Sequence, residues 1–200
     1  MKNALNKYMA IRSIAPLLLI LGLAQVSVAQ TSYKIGPKPV MTLYGTSTLH
    51  DWTMTANVFT ANAQIALSSD NQLSGFDAHN VRLPIHNLKS ESDGLNSSAY
   101  DALKADKYPN IVFTIKSATV TASGGNKYQI KALGSLIIAG VAKAVTLNAT
   151  AQVNADGSVS CSGTVPLKLS DFGIERPSFM LGTMKVGDAM TLNYSLIFVK

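Results

Sequence analysis

The chain reads as an all-β protein: an eight-stranded antiparallel sheet closed into a barrel, with one short helix near residues 98–106. Three observations predict this. Apolar and polar residues alternate with period two in segment after segment, as half-buried strands require. Clusters of turn-forming residues separate those segments. Only one stretch carries a helical signature. About eight strands suit a closed sheet, because closure removes exposed edges and leaves an interior that holds side chains or one small ligand.

The N-terminal segment stands apart. Lys2, Lys7 and Arg12 precede an uncharged stretch, Ser13 to Ala29, whose apolar heart is PLLLILGLA and which ends in Ser27-Val28-Ala29. This is the layout of a secretory signal peptide cleaved before Gln30, and it places the protein in the periplasm or outside the cell. The alternative, a membrane anchor, needs about 20 apolar residues, and this core is shorter. No cysteine stands at the cleavage site to take a lipid. Removing residues 1–29 leaves 171 residues, enough for one domain, 30–200, with a sizeable core. It also takes three of the 17 basic residues, leaving 14 against 11 acidic ones. No basic run of the kind that binds nucleic acid remains.

The strands follow in order. Val40–Thr48 and Asn57–Leu67 come first, then Val81, Leu83 and Ile85 in alternation. Ile111–Thr121 and Lys127–Ile138 follow. Val145, Leu147, Ala149, Ala151 and Val153 share one phase, as do Val159, Cys161, Gly163, Val165, Leu167 and Leu169. Met190, Leu192, Tyr194, Leu196 and Phe198 form the last strand. Turns are expected at Ser69-Asp70-Asn71, Ser123 to Asn126, Asn154 to Gly157 and Gly187-Asp188; Asn-Ala-Asp-Gly between two alternating strands is a hairpin signal. The helix is placed at Ser98 to Asp106, with Ser98 as cap and Asp101 three residues on. Pro109 stops it, because the residue before a proline is pushed out of helical geometry. The single Cys161 forms no internal disulfide; in its apolar phase it reads as a small buried residue, the alternative being a reactive thiol.

Small residues fall on the inner phase: Ala132, Ala149, Ala151 and Gly163. They either follow local taper and packing against the helix, or leave an apolar cavity.

The run from Tyr100 to Leu147 resembles the YceI-like family of secreted, lipocalin-like proteins. The matching residues are Lys107-Tyr108-Pro109, Phe113, Ser117, Gly134, Leu136, Ile138, Gly140-Val141, Lys143, Val145 and Leu147. LSDFGI (Leu169–Ile174), Val186-Gly187-Asp188 and the final apolar strand also fit. The resemblance spans most of residues 40–199. It implies an eight-stranded lipocalin-like barrel with a long apolar tunnel for a polyisoprenoid or similar amphiphile, in periplasmic or secreted proteins that are often dimeric. The partners implied are that ligand, a second copy and transient contact with a membrane; no cofactor and no catalysis are implied. The chain departs from the pattern at Ala142, where Thr is usual, at Ala144, where Pro is usual, and in TSTLHDWTMTANVFTANAQI, which is short of the glycine-and-phenylalanine pattern common after the first strand. These departures bear on the ligand rather than on the fold.

Candidate site residues follow. His50 and Trp52 offer imidazole and indole donors for a polar head group, with the indole packing its chain; the alternative is a structural Trp beside a surface His. Tyr100, Leu103 and Tyr108 are expected to cover one end of the tunnel or to pack helix on barrel. Phe113 and Ile115 line it or fill it, and Ala149 and Gly163 leave it room. Phe172, with Phe179, Met180, Leu181 and Met184 in the loop from Asp171 to Gly187, reads as a lid, a dimer contact or packing over the barrel end. No triad is supported. His50, His79 and His86 fall on different strand candidates, and no Ser or Cys has an elbow motif. A metal pair from His79 and His86, seven apart on one strand, would face opposite sides. The reading is thus a carrier or sequestering protein for an isoprenoid-type lipid; the alternative is a structural or stress-response protein with a filled barrel.

Overall fold

A computed structural model describes residues 30–179 and 183–200; the signal-peptide reading, and Met180 and Leu181, lie outside them. In chain order the strands are β1 (Thr31–Ile35), β2 (Val40–Ser47), β3 (Trp52–Ala56), β4 (Thr60–Leu67) and β5 (Leu73–Pro84). After the helix α1 (Asp93–Ala102) come β6 (Asn110–Gly124), β7 (Lys127–Ile138), β8 (Val141–Val153), β9 (Val159–Lys168), β10 (Ser178–Phe179) and β11 (Met184–Val199).

The first two staves of the barrel are each broken in two. β1 and β2 both lie against β11, while β1 pairs β4 and β2 pairs β3. Between them Gly36-Pro37-Lys38-Pro39 supplies two residues with no backbone donor, which a ladder cannot accommodate. Counted as staves, β1+β2, β3+β4, β5, β6, β7, β8, β9 and β11 make the expected eight, and the pairs Lys34↔Val199 and Ile35↔Phe198 close the ring.

Pairing lapses in two places along this ring. β5 and β6 pair only over Val81–Pro84 and Asn110–Phe113. β8 and β9 pair only from Ala149↔Gly163 to Val153↔Val159. Beyond Gly163, β9 is bonded to β11 alone, and Val141 to Asn148 of β8 are bonded to β7 alone. Pro166, which has no backbone donor and so favours a sheet edge, lies in the part of β9 that β8 does not pair.

The two ends differ. The foot carries the β6–β7 and β8–β9 hairpins and is packed around Tyr33, Ile65 and Val159. Tyr33 donates to the carbonyl of Gly157 at 3.1 Å in the Asn154–Gly157 turn, and Phe76 meets Phe198 edge to face at 5.5 Å. The rim carries the β2–β3 turn, α1, the Ala139-Gly140 turn and the segment after β9. Ala139 and Gly140 take φ of 49° and 82°, the type I′ geometry of two-residue hairpins.

Several expectations are corrected. The helix spans Asp93–Ala102, not 98–106, and its cap is Ser92, whose side chain accepts from the N–H of Leu95 at 3.3 Å. Ser98 sits inside it and donates back to the carbonyl of Gly94 at 2.8 Å. It ends in a Schellman motif, with Lys104 at φ 53° and Ala105 donating to the carbonyl of Tyr100, before Pro109 is reached. Gly187-Asp188 is not a turn: β11 runs through it, and the register against β2 shifts there as at a bulge. β1, β3 and the first half of β5 are strands that the alternation did not mark. His86 lies in a 3-10 turn (Ile85–Asn87) beyond the end of β5, so it shares no strand with His79.

An apolar cavity in the rim half of the barrel

Alternation along the staves turns one face of every strand inward. At the foot those residues meet; toward the rim they do not. Ile111, Ile115, Leu147, Ala149 and Leu192 lie on inner phases yet stay only partly buried. The space they face is a cavity of about 210 Å³. Its wall includes Met41 and Leu43 of β2, Met54 of β3, Phe76 and Val81 of β5, Leu136 of β7, Cys161 and Val165 of β9, and Met190, Leu192, Tyr194, Leu196 and Phe198 of β11. α1 contributes Leu95, Ala99, Ala102 and Leu103, and the segment after β9 contributes Leu169, Phe172 and Ile174.

No lining side chain carries a charge, and the few polar atoms are already engaged. Trp52 Nε1 donates to the carbonyl of Thr46 at 2.9 Å, and Ser98 donates within the helix. Tyr194 Oη points at the carbonyl of Asn148 at 3.5 Å, the long limit of a hydrogen bond. Burial pushes the Cys161 thiol up to about 12, so it is neutral at ordinary pH and behaves as an apolar group. Burial, with Cys161 beside it, pushes the Tyr194 phenol up to about 12. Such a wall holds hydrocarbon and offers nothing to a polar head.

Of the residues singled out from sequence, Trp52, Leu103, Phe113, Ile115, Ala149 and Phe172 line this cavity. The other four lie elsewhere. His50 is exposed in the β2–β3 turn, its Nδ1 2.8 Å from the carbonyl of Asp51. Tyr100 lies outside the lining, and its hydroxyl donates to the carbonyl of Leu88 at 3.0 Å, tying α1 to the end of the 3-10 turn. The ring of Tyr108 packs on Gly140, where a β-carbon would come within 2.5 Å of it. Gly163 shares the inner phase, but Tyr194 covers it. Strand alternation does not report the helix wall; Leu95, Ala99 and Leu103 recur every four residues, the spacing of one helical face. Among the described residues no group of three His, Cys, Asp or Glu side chains is placed to hold a metal.

The segment Leu169–Ile174 occupies the place where β8 and β9 part. Phe172 and Leu169 pack with Leu136, Ile138, Val145 and Leu147. Asp188, in the β11 bulge, holds this segment. Its Oδ1 accepts from the N–H of Ser170 at 2.8 Å and its Oδ2 from the Ser170 hydroxyl at 2.7 Å, while its carbonyl accepts from the N–H of Leu169 at 3.0 Å. Those bonds from Ser170, helped by Lys168 and Arg176 nearby, hold the Asp188 carboxyl below its usual range.

A family model described as the YceI-like domain matches residues 31–198. No curated protein sequence matches the chain. Among solved structures, BcnA of Burkholderia cenocepacia is similar, with a TM-score of 0.62 and 20% identity over 80% of this chain and 95% of that one. So is a protein of Saccharophagus degradans described as a polyisoprenoid binding domain implicated in plant cell wall breakdown, with a TM-score of 0.61 and 12% identity over 83% and 97%. The YceI protein of Campylobacter jejuni gives 0.50 and 24% over 69% and 80%.

Proposed function

The chain belongs to the YceI-like domain family, and on that footing we propose that its barrel binds the apolar chain of an isoprenoid-type lipid or similar amphiphile. It carries or sequesters that lipid outside the cytoplasm. The uncharged, apolar cavity at the rim is the observation that carries this reading. The polyisoprenoid-binding description of the Saccharophagus domain supports the ligand class, and the N-terminal layout supports the location. Self-association and transient contact with a membrane belong to the same reading.

Magnitudes define the kind of binding. A buried methylene is worth about 0.8 kcal/mol against water, so a fifteen-carbon tail would reach roughly 12 kcal/mol. Against a membrane, as apolar as the cavity, that contribution nearly cancels. The protein therefore acts as a reversible carrier, loaded or emptied according to which membrane or partner is present. The cavity of about 210 Å³ is somewhat larger than the ~150 Å³ apolar cavity that admits benzene and smaller than the roughly 300–1,000 Å³ of drug-sized sites. A short length of chain fits the closed form, and a long one needs the wall to yield.

Native mass spectrometry and organic extraction of the purified protein test the proposal, together with titration of a fluorescent farnesol analogue. Co-purified lipid and saturable uptake are expected, with uptake abolished in Ala149→Phe, which fills the cavity while the barrel still folds. Reproducible absence of both lipid and uptake would overturn it.

A further inference from the structure

Building on the binding role proposed above, we infer that the gap between β8 and β9 is a port through the barrel wall. The segment Leu169–Ile174 is its door, and the Ser170–Asp188 pair is the latch.

Four observations converge on this. The β8–β9 ladder stops at Ala149↔Gly163, so no backbone bond between these strands has to break for a chain to pass above it. The segment that fills the opening is not itself a stave: its bonds are the internal turns Phe172 to Leu169, Gly173 to Ser170 and Ile174 to Leu169, and the three to Asp188. Its inner side chains, Leu169, Phe172 and Ile174, are cavity wall. Outward displacement therefore enlarges the cavity and connects it to the outside in one movement. Gly173, at φ 62° with nothing within 4 Å of where a side chain would start, gives the segment a joint.

The exchange is balanced in kind. Opening strips apolar contacts from Leu169, Phe172 and Ile174, and an arriving hydrocarbon chain replaces them. A head group stays outside, which suits a cavity whose polar atoms are all engaged. The β5–β6 gap is the rival route, since Phe76 and Ile115 on its two strands also line the cavity, and the rate test distinguishes the two.

The test follows the rate of loading rather than the affinity. In a Ser170→Cys/Asp188→Cys variant, a short bifunctional thiol reagent bridges door to wall; Cys161 is buried and neutral and stays unmodified. Bridging should slow uptake of the fluorescent farnesol analogue at least tenfold, and Ser170→Ala should speed both uptake and release severalfold with affinity within about twofold. Should the double variant fail to fold, Ser170→Ala carries the test alone. Loading at the unbridged rate, or Ser170→Ala kinetics equal to those of the parent, would place access elsewhere and overturn the port. Failure of every form to load the analogue would instead overturn the binding role, and the port with it.

Discussion

Tyr194 occupies the space that a side chain at position 163 would need. A β-carbon built on Gly163 collides with the Tyr194 hydroxyl and comes within 2.6 Å of the Asn148 carbonyl. The ring thus stands at the fork where β8 leaves β9, and glycine is what lets it stand there. Gly163→Ala should destabilise the barrel by about 1–3 kcal/mol through overpacking, a fall of several degrees in Tm for a domain of this size. Tyr194→Phe should cost less than about 1 kcal/mol, since only a long hydrogen bond is lost. Thermal melts of both, and of Gly163→Ala combined with Tyr194→Ser, check the coupling: the combined variant should recover part of the loss.

His50 and Trp52, neighbours in sequence, should separate in experiment. Trp52 is the sole tryptophan and lines the cavity, so its emission should change when the farnesol analogue loads. Its indole also covers Gly45. Trp52→Ala should cost roughly 2–4 kcal/mol and weaken uptake. His50→Ala, at an exposed turn, should stay within about 0.5 kcal/mol of the parent and leave uptake unchanged. A loss of uptake in His50→Ala would return that imidazole to the site.

The buried thiol makes the barrel sensitive to alkali. An unfolded chain releases the Cys161 proton near 9.0, the folded one only near 12. Between those values the unfolded state binds fewer protons, so stability is full below pH 9 and declines as pH rises. Tyr194, raised from 10.0 to about 12, steepens the decline above pH 10. Urea midpoints at pH 8 and 10.5 should show a smaller drop for Cys161→Ala than for the parent. A thiol reagent at pH 8 should label the denatured protein and not the native one.

Acid acts through the latch. Asp188 is held below its ordinary 3.8 by the Ser170 bonds, so its contribution is complete above that value and disappears as pH falls through the lower folded value. Melts between pH 6 and 2.5 should show a shallower acid decline for Asp188→Asn than for the parent. Equal declines would show that the carboxylate is not felt by the fold.

Much of the barrel was legible from alternation, because a strand with one wet and one dry face writes its period into the sequence. β7 is found where the pattern put it, and the Asn154–Gly157 hairpin follows from its turn chemistry. What escaped has physical reasons. β1 and β3 are five residues each, too short for a period to register. The helix start was hidden because Ser92, Asp93 and Gly94 are turn formers as well as cap formers, and only tertiary packing of Leu95 decides between the two. Gly187-Asp188 carries turn residues but serves as a bulge, a distinction made by pairing with β2, which is distant in sequence. The cavity residues on strands were readable from phase, whereas the door and its latch are joined across 18 residues and no local pattern reports them.

The stretch of β8 that β9 leaves unpaired has a meaning beyond the cavity. A bare strand edge invites pairing with another chain, and here it lies beside Leu133 and Ile137, which face outward and are exposed at 48% and 36%. The chain blunts the hazard on both banks of the opening: Pro166 denies a donor on β9, and Lys143 is an exposed charge in the cavity-facing phase of β8. The covering segment completes the protection. A molecule stripped of that cover would fail first by edge-to-edge aggregation, so colloidal stability and lipid exchange draw on the same six residues, and neither can be tuned without the other.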